Sequence, residues 1–269
     1  MRSSIADYEV LETLESTGGS PQRYLCRPPS RLGWDDAVEV VELRVDPAVV
    51  HQWSDLAVRM AAAGDEGLRV LLEVGPDPSG AGAYLSSEAA PGGTLAGPAE
   101  GGEPAAGSLT GIAAVAAAAR GAHALHEVGL AHGAICPESV HLTARGPVLS
   151  PPALDGPAGW VVDASSWLRL STVDPDLLRG EGASRSSDVW SLGATLHRAL
   201  SARPLYPGID RDQPVTAVQR IMFTRPEPDP SLDPEVREII TSCLAVDPAD
   251  RPETASDLAD RLQRLEEQR

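Results

Sequence analysis

The chain has 269 residues, 42% hydrophobic and 4% aromatic, with a formal net charge of −17. That length suffices for a full core, as one large domain or two lobes, and the acidity argues against nucleic acid or an anionic membrane surface as partner. All 22 residues of the Lys+Arg total are Arg, so its ion pairs are Arg pairs, planar forks that match carboxylates.

Residues 8–14 alternate as a strand, with Tyr8, Val10 and Leu14 on its pattern. A Gly/Ser/Pro turn follows at 16–21, then a short strand around Tyr24 and Leu25 and a turn at Pro28, Pro29 and Gly33. The β-branched run 37–45 predicts a strand. Asp46-Pro47 then opens a helix, with Asp as N-cap and Pro at the first helical position. Val49, Val50, Trp53, Leu56, Ala57 and Met60 carry it to about residue 63. Two more strands are expected at 68–74 and 83–89. Residues 75–108 are rich in Gly, Pro, Ala and Ser and read mostly as loop. From Leu109 a stripe of Ile112, Val115, Ala119, Ala122 and Leu125 predicts a helix ending near Gly129. Further helices are expected at about 187–202, 214–223, 233–245 and 254–267. Strands early and helices late imply an α+β chain with a small sheet-rich lobe and a larger helical one, joined near residues 89–95.

Cys26, Cys136 and Cys243 are odd in number and widely spaced, which suggests neither a disulfide framework nor a zinc site. Reduced thiols in a cytoplasmic protein are the expectation. No apolar run approaches the roughly 18–20 residues of a membrane span, and the N-terminus lacks the apolar core of a signal peptide. The sequence also suits one module of a longer protein.

Four motifs stand out in the second half. They are His132-Gly133-Ala134-Ile135-Cys136-Pro137-Glu138-Ser139, Asp174-Pro175-Asp176-Leu177-Leu178, Asp188-Val189-Trp190-Ser191-Leu192-Gly193 and Asp247-Pro248-Ala249-Asp250-Arg251-Pro252. In order and spacing they resemble the catalytic loop, A-P-E-L-L, D-x-W-S-x-G and D-P-x-x-R-P segments of the bacterial (actinobacterial-like) Ser/Thr protein-kinase family. The resemblance covers roughly 8–267 and is strongest from 112 to 252. It implies a bilobal kinase-like fold, with residues 1–90 as the N-lobe (antiparallel sheet plus one helix) and 91–269 as the helical C-lobe. It also implies that His132, Asp176, Asp188, Trp190, Gly193 and Arg251 hold the C-lobe together. Asp176 should pair with Arg251, and Asp188 should bond the backbone of the 132–134 loop.

The positions that carry a kinase's chemistry differ. The catalytic base position is Ala134, whose methyl group has no lone pair. The two metal-ligand positions are Ser139 and Pro151. The phosphate-gripping lysine position falls on Val41, and the chain has no lysine at all. Leu14-Glu15-Ser16-Thr17-Gly18-Gly19-Ser20 replaces two key glycines of the phosphate loop with Glu15 and Thr17. The Asp-Phe-Gly position reads Pro151-Pro152-Ala153, with a stiffened backbone. Asp55 stands at the loose position of the helix glutamate.

Other residues have plainer readings. Cys136 suits a semi-buried filler better than a redox thiol, and His132 a packing residue better than a base. Asp155 and Asp163 suit turns, with displaced metal ligands as the alternative. Trp160 and Trp167 either pack the segment after 151 or present it to a partner. Ser171 and Thr172 are ordinary loop hydroxyls that another kinase could phosphorylate.

The reading that follows is a pseudokinase: no enzyme, no cofactor, no metal, and a regulatory or scaffolding surface for a protein partner such as an active kinase or signalling protein. Two alternatives stand beside it. One is a degenerate Ser/Thr kinase with residual ATP binding or phosphotransfer, needing new metal ligands such as Glu138, Asp155 or Asp163. The other is a sensor of an apolar small molecule in a cleft lined by Val41, Ala134, Pro151 and Pro152.

Overall fold

The computed structural model describes residues 3–14, 22–43, 47–64, 67–77, 82–97, 108–152, 167–209 and 213–268. The N-terminal part is a six-stranded antiparallel sheet with strands β1 (Ser4–Ile5), β2 (Tyr8–Leu14), β3 (Gln22–Arg27), β4 (Val38–Leu43), β5 (Leu71–Pro76) and β6 (Ala83–Glu88). Their order is β1-β2-β3-β4-β6-β5, so β6 enters between β4 and β5 and is buried along its whole length.

The period-two pattern of β4 sorts its side chains onto two faces. Val38 and Val40 join Tyr8, Tyr24 and Tyr84 in one cluster. Val41 and Leu43 face the other way, against Val50 and Trp53 of helix α1 (Pro47–Ala63) and against Leu85 of β6. Glu39 therefore shares the face of Val41 and Leu43. The Asp46 expected to cap α1 lies outside the described residues.

The C-terminal part is built on α2 (Ser108–Glu127), whose Ile112, Val115, Ala118, Ala119, Ala122 and Leu125 are fully buried. Its alanines let neighbours approach closely. Against it lie the hairpin β7 (Val140–Thr143) and β8 (Gly146–Leu149), α5 (Arg185–Leu200) and α8 (Ala255–Glu267). Short helices α3 (Trp167–Thr172) and α4 (Pro175–Leu178) precede α5, and α6 (Pro214–Phe223) and α7 (Pro234–Cys243) follow it. Ser184 caps α5, Asp233 caps α7 and Thr254 caps α8, each satisfying a free helix N–H. Gly193 lies where α5 meets α7: a Cβ there would come within 2.4 Å of Cys243 Cβ. Packing thus explains this motif glycine.

The expected strands and long helices are present. The β7–β8 hairpin, α3 and α4 were not expected. Hairpin and short helices offer too few residues for a period to show. The architecture is the expected α+β one, bilobal and kinase-like.

The two parts are tied at several points. The Arg69 N–H donates to Leu149 O at 2.9 Å, and the Leu149 N–H donates to Gly67 O at 2.8 Å. Arg59 Nη2 of α1 donates to the carbonyls of Val128 and Gly129 at 2.8 and 2.9 Å. Arg145, in the β7–β8 turn, grips Glu88 at the end of β6 through Nε and Nη2, at 2.9 and 2.6 Å.

Candidate functional site

The 132–139 loop runs from the end of α2 into β7, and Asp188 holds its backbone. The buried Asp188 carboxylate accepts the N–H of His132 at 2.7 Å and of Gly133 at 2.8 Å. It also faces His126 Nε2 at 2.8 Å. A carboxylate can only accept, so that imidazole carries its proton on Nε2. Asp188 therefore acts on the loop as expected, at His132 and Gly133. The Ala134 N–H goes to His132 Nδ1 instead, at 3.2 Å.

His132 Nε2 donates to Ser150 O at 3.0 Å. With Nδ1 accepting and Nε2 donating, the ring is a neutral strut between this loop and the end of β8. This is more than packing, and neither nitrogen is open to act as a base.

Ser139 Oγ donates to Cys136 O at 2.8 Å and accepts the Cys136 N–H at 3.0 Å. The hydroxyl closes the 3-10 turn Pro137–Ser139 on itself. Cys136 is buried, with Sγ 4.0 Å from Glu138 Oε2. Glu138 faces Arg169 of α3 at 3.4 Å. Burial pushes the Cys26 thiol up to about 11 and, as the largest cause, the Cys243 thiol up to about 12. Both are then inert thiols at neutral pH.

Val41 is packed among Val50, Trp53 and Leu85. A hydrophobic contact between β4 and α1 stands where the resemblance implies an ion pair. Asp55 is exposed on α1 and is not part of that contact.

One expected pair is corrected. Arg251 does not bond Asp176; its Nη1 lies 2.5 Å from Asp174 Oδ2. Asp174 is the N-cap of α4, and its extended backbone turns the carboxylate inward. Asp176, one position into the helix, points out and pairs with Arg179 at 2.5 Å. Arg251 also stacks over Trp190, 4.9 Å from the ring centroid, and donates to Ala245 O and Ser186 O. Trp190 and Arg251 thus form one buried joint between α5 and the chain before α8.

The sequence reading missed a charged cluster between the sheet and the β7–β8 hairpin. Glu39 accepts from Arg23 Nε at 2.5 Å and from Arg69 Nη2 at 2.7 Å. Arg69 is fully buried, and its Nε and Nη2 donate to Glu88 O at 3.0 and 2.7 Å. Burial raises the Glu39 carboxyl, but the two guanidinium groups outweigh it and hold it at about 2. Burial lowers the nearby His141 imidazole of β7 to about 3, and the positive charge of Arg69 adds to this. The visible signal was charge where apolar residues belong: Glu39 in a run of valines and Arg69 between Leu68 and Val70.

Glu15, Thr17, Gly18, Gly19, Ala153, Asp155, Trp160 and Asp163 lie outside the described residues, as does the side chain of Trp167. Among the described residues no group of three or more His, Cys, Asp or Glu is placed to hold a metal ion. Ser139 is engaged within its own turn and the Pro151 side chain has no donor atom, so these side chains do not fit a kinase's magnesium pair. No helix among the described residues is long and apolar enough to cross a membrane.

Comparison with known proteins gives this arrangement a context. Residues 171–262 match the family described as protein kinase domain. The Ser/Thr protein kinase PknK of Mycobacterium tuberculosis is 33% identical over 145 residues, 52% of this chain and 13% of that kinase. The Ser/Thr protein kinase drp72 of Corynebacterium efficiens is 30% identical over 152 residues, 53% of this chain and 28% of that protein. The probable Ser/Thr protein kinase SCO3848 of Streptomyces coelicolor is 27% identical over 146 residues, 49% of this chain and 21% of that protein. The chain thus spans well under two thirds of each relative's length. These names correct the expectation that the chain is no enzyme, because relatives named as Ser/Thr protein kinases point to one. The chain carries a protein-kinase domain match within an α+β, bilobal kinase-like fold, and Ser/Thr kinases, bacterial ones included, are its relatives.

Proposed function

We propose that the chain is a degenerate Ser/Thr protein-kinase domain in which ATP binding and phosphotransfer are residual. The observation that carries this reading is the hold of Asp188 on the His132 and Gly133 N–H groups. That hold keeps the 132–139 loop in a fixed path although Ala134 has replaced the base. Phosphoryl transfer rests mainly on positioning and charge placement. A general base contributes about 10²–10⁴-fold, so its loss slows transfer without removing the contribution of alignment. Glu138 is the one carboxylate within the 132–139 segment and the described candidate for a compensating role.

The test measures transfer of the γ-phosphoryl group from labelled ATP to the chain itself and to a generic protein acceptor. It is run with and without divalent cation, alongside ATP-dependent thermal stabilisation. Slow incorporation that drops in Glu138→Ala is the expected result. No incorporation, together with no stabilisation at millimolar ATP, overturns the reading.

A further inference from the structure

The lysine that the resemblance places at Val41 is absent, but the strand beside it carries a cation at the same level. Arg23 of β3 stands directly opposite Val41 of β4 in the antiparallel register, so their Cβ atoms lie about 4.5–5.5 Å apart on one face of the sheet. The other face takes Tyr24 and Cys26 of β3 with Val38 and Val40 of β4. The Arg23 side chain runs along the inner face to Glu39, the residue two before Val41 on that face. Its Nε lies 2.5 Å from Glu39 Oε1.

Glu39 is fixed in turn. Its second oxygen accepts from Arg69 Nη2 at 2.7 Å, and the Arg69 backbone N–H donates to Leu149 O at 2.9 Å. The next residue, Ser150, donates its N–H to Ser139 O at 2.8 Å. Contacts and chain neighbours thus link Arg23 to the end of β8, beside the two metal-ligand positions Ser139 and Pro151. Arg69 is fully buried and engaged by Glu39 and Glu88 O. Arg23 differs: its bond to Glu39 uses Nε, and 37% of its side chain is exposed. Its guanidinium can meet an anion from solvent while it keeps Glu39. In a kinase the strand lysine is steadied by a helix glutamate. Here Asp55 is exposed on α1, and the steadying carboxylate comes from β4 itself.

We propose that Arg23 takes the place of the missing lysine and grips the phosphates of ATP, with Glu39 as the positioning residue that aims it. This rests on the reading of the chain as a residual kinase domain, and it supplies the cation which that reading lacks. An arginine suits the task, because its planar fork offers parallel donors to phosphate oxygens and stays charged at every working pH. Neutralising Glu39 does not by itself account for Arg23, since the buried Arg69 already pairs with that carboxylate. Two guanidinium groups against one carboxylate leave a positive charge in excess, and Arg23 is the one of the two that solvent reaches.

The test is isothermal titration of the intact chain with ATP, adenosine and inorganic tripolyphosphate, in the wild type, Arg23→Gln, Arg23→Lys and Arg27→Gln. Arg27 lies on the same strand and pairs with Glu9, so its variant removes the same formal charge elsewhere. ATP and tripolyphosphate should bind about 10- to 100-fold more weakly in Arg23→Gln, the loss of a charge-assisted bond, while adenosine affinity holds. Arg23→Lys keeps the charge without the fork and should fall between, and Arg27→Gln should match the wild type. A second measurement needs no variant. Phenylglyoxal, which modifies arginine, is applied to the wild type with and without ATP, and mass spectrometry reads both sites. ATP should shield Arg23 and leave Arg27, 65% exposed, reacting. Unchanged ATP affinity in Arg23→Gln, an equal loss in Arg27→Gln, or no shielding of Arg23 overturns the proposal. So does the absence of binding of either phosphate compound at millimolar concentration. If ATP binds through Arg23 yet no phosphoryl group is transferred, this site stands and residual phosphotransfer falls. Transfer that Arg23→Gln leaves intact sinks the role of Arg23 alone.

Discussion

Arg251 reaches past Asp176 to Asp174, and the two partners are almost wholly buried at a separation of 2.5 Å. Burial pushes the Asp174 carboxyl up, while the Asp176 N–H and Arg251 pull it down. The pair survives burial because its remaining capacity is used: Arg251 also donates to Ala245 O and Ser186 O, and Asp174 caps α4. Breaking such a pair strands a charge in the interior. Asp174→Ala should destabilise the chain by about 3–5 kcal/mol. Asp176→Ala removes a half-exposed pair and should cost less than about 1 kcal/mol. Urea denaturation of the two variants checks the contrast, and equal losses would return the structural role to Asp176.

The acid limb of stability should report on the interlobe cluster. Glu39 is held at about 2 against an ordinary 4.5, and His141 at about 3 against 6.5. Both folded values lie below the unfolded ones, so below each unfolded value the unfolded chain binds the extra proton. The contribution of His141 is present above about 6.5 and is lost as pH falls towards 3. That of Glu39 is present above about 4.5 and is lost as pH falls towards 2. Each group adds up to about 1.4 kcal/mol per pH unit within its window. Denaturation midpoints across pH should therefore flatten between 6.5 and 4.5 in His141→Leu. In Glu39→Gln they should flatten only below 4.5.

Much of this fold was legible because its long elements repeat a simple period. The stripe Ile112, Val115, Ala119, Ala122, Leu125 gave α2, and the β-branched run gave β4. Asp188, Trp190 and Gly193 were legible as a motif, and the packing of each accounts for it. The Arg251 partner was not, because Asp174 and Asp176 flank one proline and only backbone direction decides which carboxylate turns inward. The cluster of Glu39, Arg69 and His141 was not legible either. Glu39 lies on β4, His141 on β7 and Arg69 just before β5, and they meet only through the order β4-β6-β5 and the hairpin packed beneath. A lone charge in a strand pattern shows that something compensates it, not what does.

The contact between the turn before β5 and α2 should tolerate no side chain. Gly67 has φ of +69°, and a Cβ there would lie 2.3 Å from Ala117 O and 2.6 Å from Gly121 N. Both neighbours are backbone of a buried helix and cannot swing aside. Gly67→Ala should cost more than about 2 kcal/mol, from the clash and the left-handed backbone together. Gly64→Ala is the control: φ is +84° but nothing lies within 4 Å, so only the backbone cost of about 1–2 kcal/mol applies. A Gly67→Ala loss no larger than that of Gly64→Ala would show that the turn can move off α2.

Asp188 should govern the catalytic-loop segment locally as well as the fold globally. Its carboxylate meets three donors, from His132, Gly133 and His126, shared between its two accepting oxygens. Asn keeps the shape but offers one oxygen, and turns its amide N–H groups towards other donors. Asp188→Asn should therefore destabilise the chain by about 2–4 kcal/mol, the cost of unmet buried donors. It should also speed hydrogen exchange at the His132 and Gly133 amides beyond what that global loss explains. The Ala134 amide, held by His132 Nδ1, should change less. A double-mutant cycle with His126→Leu isolates the third bond. If Asp188→Asn lowers stability while both amides keep their relative protection, the carboxylate is a core anchor that does not set the path of the loop, and the observation behind residual phosphotransfer loses its force.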